Sequence, residues 1–300
     1  MDLYRELAAV SGEENVLRDE PMSRHTTFRI GGPADYFVTP KDKGEIKKII
    51  KFCRKEQVPF YVIGNGSNLL VGDRGYRGVI IQIFKQMSKI EVDGERIMAQ
   101  AGALLSKLAA AALDASLTGF EFASGIPGTL GGALRMNAGA YGGEMKQVVL
   151  SADVLTPAGD FITLSVDELG MGYRTSIISK NDYVVIDALL QLKKGNKEEI
   201  KAQMADLREK RVSKQPLEYG SAGSTFKRPE GYFAGKLIDD AGLRGFRVGD
   251  AQVSEKHCGF VVNRGNATAA EVRELMQIVS ERVEEKFGVR LQPEVRCIGE

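Results

Sequence analysis

The sequence predicts an α+β protein of two domains. Its 300 residues suit about two hydrophobic cores. Strand and hairpin signals are interleaved with amphipathic helices along the chain. A stretch rich in Ser, Gly and Pro, residues 213–226, follows a charged segment that opens at Asn196. The boundary is placed near residue 196, giving domains 1–196 and 197–300, the first of them split in two near residue 75.

The elements follow in chain order. Residues 43–57 read as an amphipathic helix with Ile46, Ile49, Ile50 and Cys53 on one face. Residues 60–64 form a short apolar strand after Pro59, and residues 64–71 (GNGSNLLV) read as a loop. Residues 79–83 look like a buried strand. Residues 90–92 and 96–99 flank Asp93-Gly94, a hairpin signal. Residues 104–115 are alanine-rich and read as helix. Residues 152–164 read as a second hairpin, turning at 157–160, and residues 183–192 as a further strand. Asn196 is placed to cap a charged helix running to about Val212. Residues 233–241 read as helix and residues 259–263 as a strand. Thr268 and Glu271 have capping-box spacing and open a long helix with Val272, Leu275, Met276, Val279, Val283 and Phe287 on one face. A strand-like segment, residues 289–298, closes the chain.

Composition limits the function classes. Forty-one basic and 40 acidic residues leave a net charge of +1, so no broad steering toward nucleic acid follows. The three cysteines, Cys53, Cys258 and Cys297, form no C-x-x-C pair, which argues against a disulfide framework. Only His25 and His257 are present, so no metal site is expected. The acidic N-terminus lacks the long apolar run of a signal peptide, and the expected location is the cytoplasm. G-x-G-x-x-G, G-x-x-x-x-G-K-[ST] and G-x-S-x-G are all missing, which disfavours Rossmann, P-loop and α/β-hydrolase readings.

Residues 125–143 (GIPGTLGGALRMNAGAYGG) are the most informative stretch, with seven glycines and a single charge, Arg135. Gly-Ile-Pro-Gly reads as a turn. Residues 129–138 read as a short helix whose first N–H groups point back at that turn, free to bind a phosphate without lysine. The same composition also fits a tightly packed structural crossover.

Read together, this stretch and GNGSNLL resemble the FAD-binding domain of the vanillyl-alcohol-oxidase type, in which such loops grip the pyrophosphate of an extended FAD. Four further motifs follow in order: GYRTS at residues 172–176, GSTFKRP at 223–229, GKLIDDAGLRG at 235–245 and PEVR at 293–296. With them the chain resembles the UDP-N-acetylenolpyruvoylglucosamine reductase (MurB) family over about residues 25–300. The resemblance implies a two-part FAD-binding domain followed by an α+β substrate domain. It also implies a reaction, in which a hydride passes from NADPH to non-covalent FAD and then to C3 of the enolpyruvyl group of a UDP-sugar. The product is UDP-N-acetylmuramate for peptidoglycan synthesis, hence for cell shape and division.

By the same resemblance Arg174 and Glu294 stabilise the developing enolate and Ser224 gives the proton to C2. A guanidinium fork suits a carboxylate, a carboxyl in a dry site can donate a hydrogen bond, and a serine hydroxyl can protonate a strongly basic carbon. FAD contacts fall on Gly64, Asn65, Gly66, Ser67, Asn68 and Leu69 in the first loop. In the second they fall on Gly125, Ile126, Pro127, Gly128, Thr129, Gly131, Asn137, Gly139 and Ala140. Tyr173 and Lys227 are assigned to the substrate, and His257 and Cys258 to the structure. Eight residues separate Arg174 from Tyr183, as in the shorter subtype that lacks a tyrosine lid over the substrate diphosphate. An oxidase of the same flavin fold and a sugar-nucleotide-binding module without flavin are the alternatives. No nucleic-acid, membrane or protein partner is indicated.

Overall fold

The helices and hairpins form where the periodicity places them. The computed structural model describes residues 2–300. They divide into two compact units, each assembled from separate stretches of chain. The first takes the segment ending at Leu17 together with Phe37–Asn65 and Val79–Arg211. The second takes Arg18–Tyr36, Gly66–Gly78 and Val212–Glu300.

In the first unit the helix Lys43–Lys55 begins where Asp42 accepts the N–H of Glu45, and it buries Ile46, Ile49, Ile50 and Cys53. The strand Phe60–Ile63 pairs in parallel with Tyr76–Gln82, Phe60 opposite Val79 and Ile63 opposite Gln82. A five-stranded antiparallel sheet holds both expected hairpins, Ile90–Asp93 with Arg96–Gln100 and Val149–Leu155 with Phe161–Ser165. Val184–Gln191 lies between them in that sheet. The helix Leu105–Asp114 buries Leu105, Leu108, Ala109 and Ala112. Asn196 caps the helix Lys197–Lys214, its Oδ1 accepting the N–H groups of Glu198 and Glu199.

The second unit has its own apolar core, in which Phe28, Ile30 and Leu70 pack with Leu237, Val261, Leu275, Val279 and Leu291. Its long helix, Ala269–Phe287, opens with the capping box of Thr268 and Glu271. Asp73 adds a second cap, accepting the N–H groups of Ala269 and Ala270 at 2.7 and 2.9 Å. A carboxylate at a helix N-terminus also meets the positive end of the helix dipole.

Three expectations change here. Residues 64–71 are not all loop, because Leu69–Val71 is a buried strand paired in parallel with Arg296–Ile298. Of the strand-like C-terminal segment only Arg296–Ile298 is strand. The contacts also do not follow one cut near residue 196. Residues 18–36 and 66–78 join the C-terminal stretch because Phe28, Ile30 and Leu70 belong to its core and Leu69–Val71 pairs with its last strand. No helix among the described residues is long and apolar enough to cross a membrane.

Candidate functional site

The loop after Phe60–Ile63 is held at its start while the N–H groups that follow stay unspent. Gln82 Nε2 donates to the Gly64 carbonyl at 3.1 Å, and Asn65 Nδ2 to the Pro127 carbonyl at 2.6 Å. A Cβ on Gly64 would lie 2.2 Å from Thr129 Oγ1, so the loop approaches the second glycine-rich stretch as only glycine can. Among the described residues the backbone N–H groups of Asn65, Gly66, Ser67 and Asn68 donate to no protein acceptor. A run of such donors is a phosphate cradle. Beside Gly64 and Thr129 lies a cavity of about 410 Å³, lined also by Tyr61, Ile63, Gly131, Arg135, Tyr183 and Val185. A largely apolar cavity beside Gly64, next in the chain to the free N–H of Asn65, is of a kind that takes part of a dinucleotide.

The second stretch differs from expectation. Glu121, buried, anchors its approach by accepting from Thr118 Oγ1 at 2.7 Å and the Gly119 N–H at 2.8 Å. Ile126 N–H goes to the Ala123 carbonyl, and the Gly128 carbonyl accepts from Leu105. The helix is Leu130–Arg135, and its first N–H groups are not free. Leu130 donates to the Ala103 carbonyl and Gly131 to the Ala101 carbonyl, both at 2.8 Å. Residues 101–105 reach these donors first because Leu104 and Thr129 form an antiparallel bridge. Asn137 spends its side chain inside the protein, donating to Glu144 Oε2 and the Gly172 carbonyl and accepting from the Lys146 N–H. Gly139 and Ala140 form a short hairpin with Gly143 and Glu144.

Sequence reasoning missed Arg211. Its Cδ and Nη1 lie within 3.2 Å of where a Gly125 Cβ would stand, so glycine there makes room for the guanidinium. Burial lowers its pKa from the usual guanidinium value, yet it stays protonated at neutral pH. Among the described residues it makes no hydrogen bond or ion pair. A half-buried cation with unmet donors is unfavourable until an anion reaches it. In sequence it is one charge among many on a polar helix, and only its packing distinguishes it.

Arg174 sits at the tip of a two-residue turn closed by Gly172 and Thr175, which exchange backbone hydrogen bonds at 3.0 and 3.3 Å. Its φ is +55°, a left-handed conformation that costs a side-chain-bearing residue about 1–2 kcal/mol. Its guanidinium lies 5.2 Å from the centroid of the Tyr173 ring, which is 55% exposed. Ser224 and Glu294 belong to the other unit and come together through one residue between them. Thr225 donates its N–H to the Gly259 carbonyl and accepts the Glu294 N–H, both at 2.8 Å, while its buried Oγ1 accepts from Val261. Ser224 is thereby held exposed, one residue from Glu294's pairing partner. Asn68 clamps the same segment, with Nδ2 on the Glu294 carbonyl at 3.1 Å and its own carbonyl accepting from Arg296. Lys227 pairs through its backbone with Gln292.

His257 and Cys258 belong to the second unit, Cys258 in its apolar core. His257 Nδ1 accepts the Gly259 N–H at 3.0 Å and its ring meets Phe260 edge-on. Burial, with Arg244 and Lys214 nearby, holds its pKa below the 6.5 of a free imidazole, and burial pushes the Cys258 thiol up to about 11. A histidine whose folded pKa is depressed contributes stability that is complete above about pH 6.5 and lost as pH falls through the folded value. His257→Gln is therefore expected to flatten the loss of stability between pH 7 and pH 5. Equal slopes for variant and parent in urea melts at the two pH values would contradict this.

Residues 34–165 match a family model described as an FAD binding domain. Residues 215–298 match the C-terminal domain of UDP-N-acetylenolpyruvoylglucosamine reductase. The enzyme of that name from Agathobacter rectalis is 58% identical, over 95% of this chain and 94% of its own. That of Clostridioides difficile is 51% identical over 100% and 98%. The crystal structure of UDP-N-acetylenolpyruvylglucosamine reductase from Thermus caldophilus superposes with a TM-score of 0.80 at 38% identity, covering 94% of this chain and 97% of that one. With such identity from end to end, the chain belongs to the UDP-N-acetylenolpyruvoylglucosamine reductase family of FAD-dependent oxidoreductases.

Proposed function

We propose that the chain reduces UDP-N-acetylglucosamine enolpyruvate to UDP-N-acetylmuramate at the expense of NADPH, with Arg174, Ser224 and Glu294 as its catalytic residues. The observation that carries the reading is the backbone pairing at Thr225, which sets a solvent-facing serine hydroxyl beside the Glu294 segment. Bound FAD supplies hydride to C3 of the enolpyruvyl group. The protein then has two tasks at the substrate. Negative charge developing toward the carboxylate needs a fixed cation and a hydrogen-bond donor, which Arg174 and the Glu294 carboxyl provide. The carbon at C2 needs a proton, which the Ser224 hydroxyl delivers. Tyr173 and Lys227 contact the sugar nucleotide. With NADPH and a nucleotide sugar as substrates, the protein works in the cytoplasm.

The N–H groups of residues 65–68 would hold the FAD pyrophosphate, with Gly64 and Thr129 shaping the adjoining wall. Arg211 is assigned to the anionic part of the same dinucleotide. Arg211→Gln is expected to raise the FAD dissociation constant of the apoprotein about tenfold or more, the worth of one charged hydrogen bond. Fluorescence titration measures this, and an unchanged constant removes Arg211 from the site. The function itself is tested by anaerobic titration. NADPH should bleach the flavin, and the enolpyruvyl sugar nucleotide, not oxygen, should restore its colour rapidly. Rapid reoxidation by air without that substrate would instead favour an oxidase.

A further inference from the structure

Asn137 was expected to touch the cofactor, but its surroundings give it a different task. The residue is 1% exposed and has a φ of +44°. Both Nδ2 donors and one lone pair of Oδ1 are used. Nδ2 donates to Glu144 Oε2 at 2.8 Å and to the Gly172 carbonyl at 3.2 Å, and Oδ1 accepts the Lys146 N–H at 3.0 Å. Glu144 is itself fixed, because its other oxygen meets Lys146 Nζ at 2.7 Å and its N–H reaches Gln147. Buried and with both side-chain donors spent, Asn137 presents no donor to a ligand, and its N–H already goes to Leu134.

Gly172 is the first residue of the turn that carries Arg174. On the other side of that turn Ser176, fully buried, donates its hydroxyl to the Arg135 carbonyl at 2.7 Å. Both ends of the turn are thus fastened to the end of the short helix Leu130–Arg135, one through Arg135 and one through Asn137. A left-handed non-glycine residue persists where its surroundings over-determine it. These two hydrogen bonds anchor both ends of the turn that holds Arg174 in this conformation.

We propose that Asn137 is a positioning residue for Arg174: through the Gly172 carbonyl it sets the guanidinium's direction toward the substrate carboxylate and does not bind the cofactor. The inference rests on the catalytic reading of Arg174. Only an amide suits the place, since one group must donate to two acceptors and accept from an N–H. Aspartate would oppose both Glu144 and the Gly172 carbonyl, and serine has too few donors.

The test separates the half-reactions in the holoenzyme by stopped flow. Asn137→Ser is expected to leave FAD affinity and flavin reduction by NADPH within about twofold of the parent, while slowing reoxidation by the enolpyruvyl substrate at least tenfold. Placed on Arg174→Ala, the same change should add less than twofold, because the group it orients is gone. A uniform fall of both half-reactions, a loss of FAD affinity, or full additivity with Arg174→Ala would overturn the proposal. If Asn137→Ser does not yield folded protein, Ser176→Ala, which releases the other end of the turn, must give the same selective loss. If it does not, the proposal fails. Normal reoxidation by Arg174→Ala alone would sink the catalytic reading instead, so the two failures are distinguishable.

Discussion

Ser224→Ala is expected to fold as the parent does, to be reduced by NADPH at the parental rate, and to return electrons to the enolpyruvyl substrate 10²- to 10⁴-fold more slowly. The magnitude is that of losing a positioned general acid. The selectivity follows from where the hydroxyl stands. Among the described residues Ser224 Oγ has no hydrogen-bond partner, and the residue is exposed, so removing it deletes no contact of the fold. Its neighbour Thr225 is the opposite case, with Oγ1 buried and accepting the Val261 N–H at 2.8 Å. Thr225→Val would leave that donor unmet and cost about 1–3 kcal/mol in stability. The two adjacent hydroxyls thus divide function from structure. Stopped-flow absorbance of the flavin reads both half-reactions, and Ser224→Cys, which keeps a proton donor, should recover part of the second. Parental reoxidation by Ser224→Ala would remove Ser224 from the mechanism.

The sequence was legible where information is local. The helices Lys43–Lys55 and Ala269–Phe287 bury the apolar faces that their spacing marks, and Thr268 and Glu271 form the capping box. The Asp93-Gly94 hairpin stands as read. What could not be read is pairing between stretches far apart in the chain. Leu69–Val71 is short and follows glycines, and nothing local says that Arg296–Ile298 will lie beside it. The same blindness hid the membership of residues 18–36 and 66–78 in the second unit.

The proposed catalytic trio was legible only as motifs in order, because the neighbourhood of Ser224 and Glu294 is made by Thr225's backbone, which carries no side-chain signature. The glycine-rich stretch misled in one respect. Free helical N–H groups were inferred from composition, whereas Leu130 and Gly131 donate to residues 103 and 101. The two asparagines, Asn68 and Asn137, read as ligand contacts because amides suit ligands. Equally, they suit orphan backbone carbonyls, and here they hold the Glu294 segment and the Arg174 turn.

Gly66→Ala is expected to destabilise even the apoprotein, by about 2–5 kcal/mol, which a mere phosphate contact would not do. Gly66 has a φ of +61°, and a Cβ there would lie 2.0 Å from the His25 carbonyl oxygen and 3.0 Å from Thr26 Cα. Both obstacles are backbone, so no rotamer change relieves them. The left-handed conformation costs alanine about 1–2 kcal/mol, and displacing packed backbone about 1–3 kcal/mol more. Gly66 also accepts the Thr27 N–H through its carbonyl, so the shift would strain that bond as well. Gly142→Ala supplies the control. Its φ is +87°, but nothing lies within 4 Å of the added methyl, so only the conformational cost applies. Urea denaturation of the flavin-free proteins, followed by far-ultraviolet circular dichroism, should therefore place Gly66→Ala well below Gly142→Ala. If both variants lose the same stability, the close approach to His25 is not what demands glycine at residue 66, and the cradle would have to explain it.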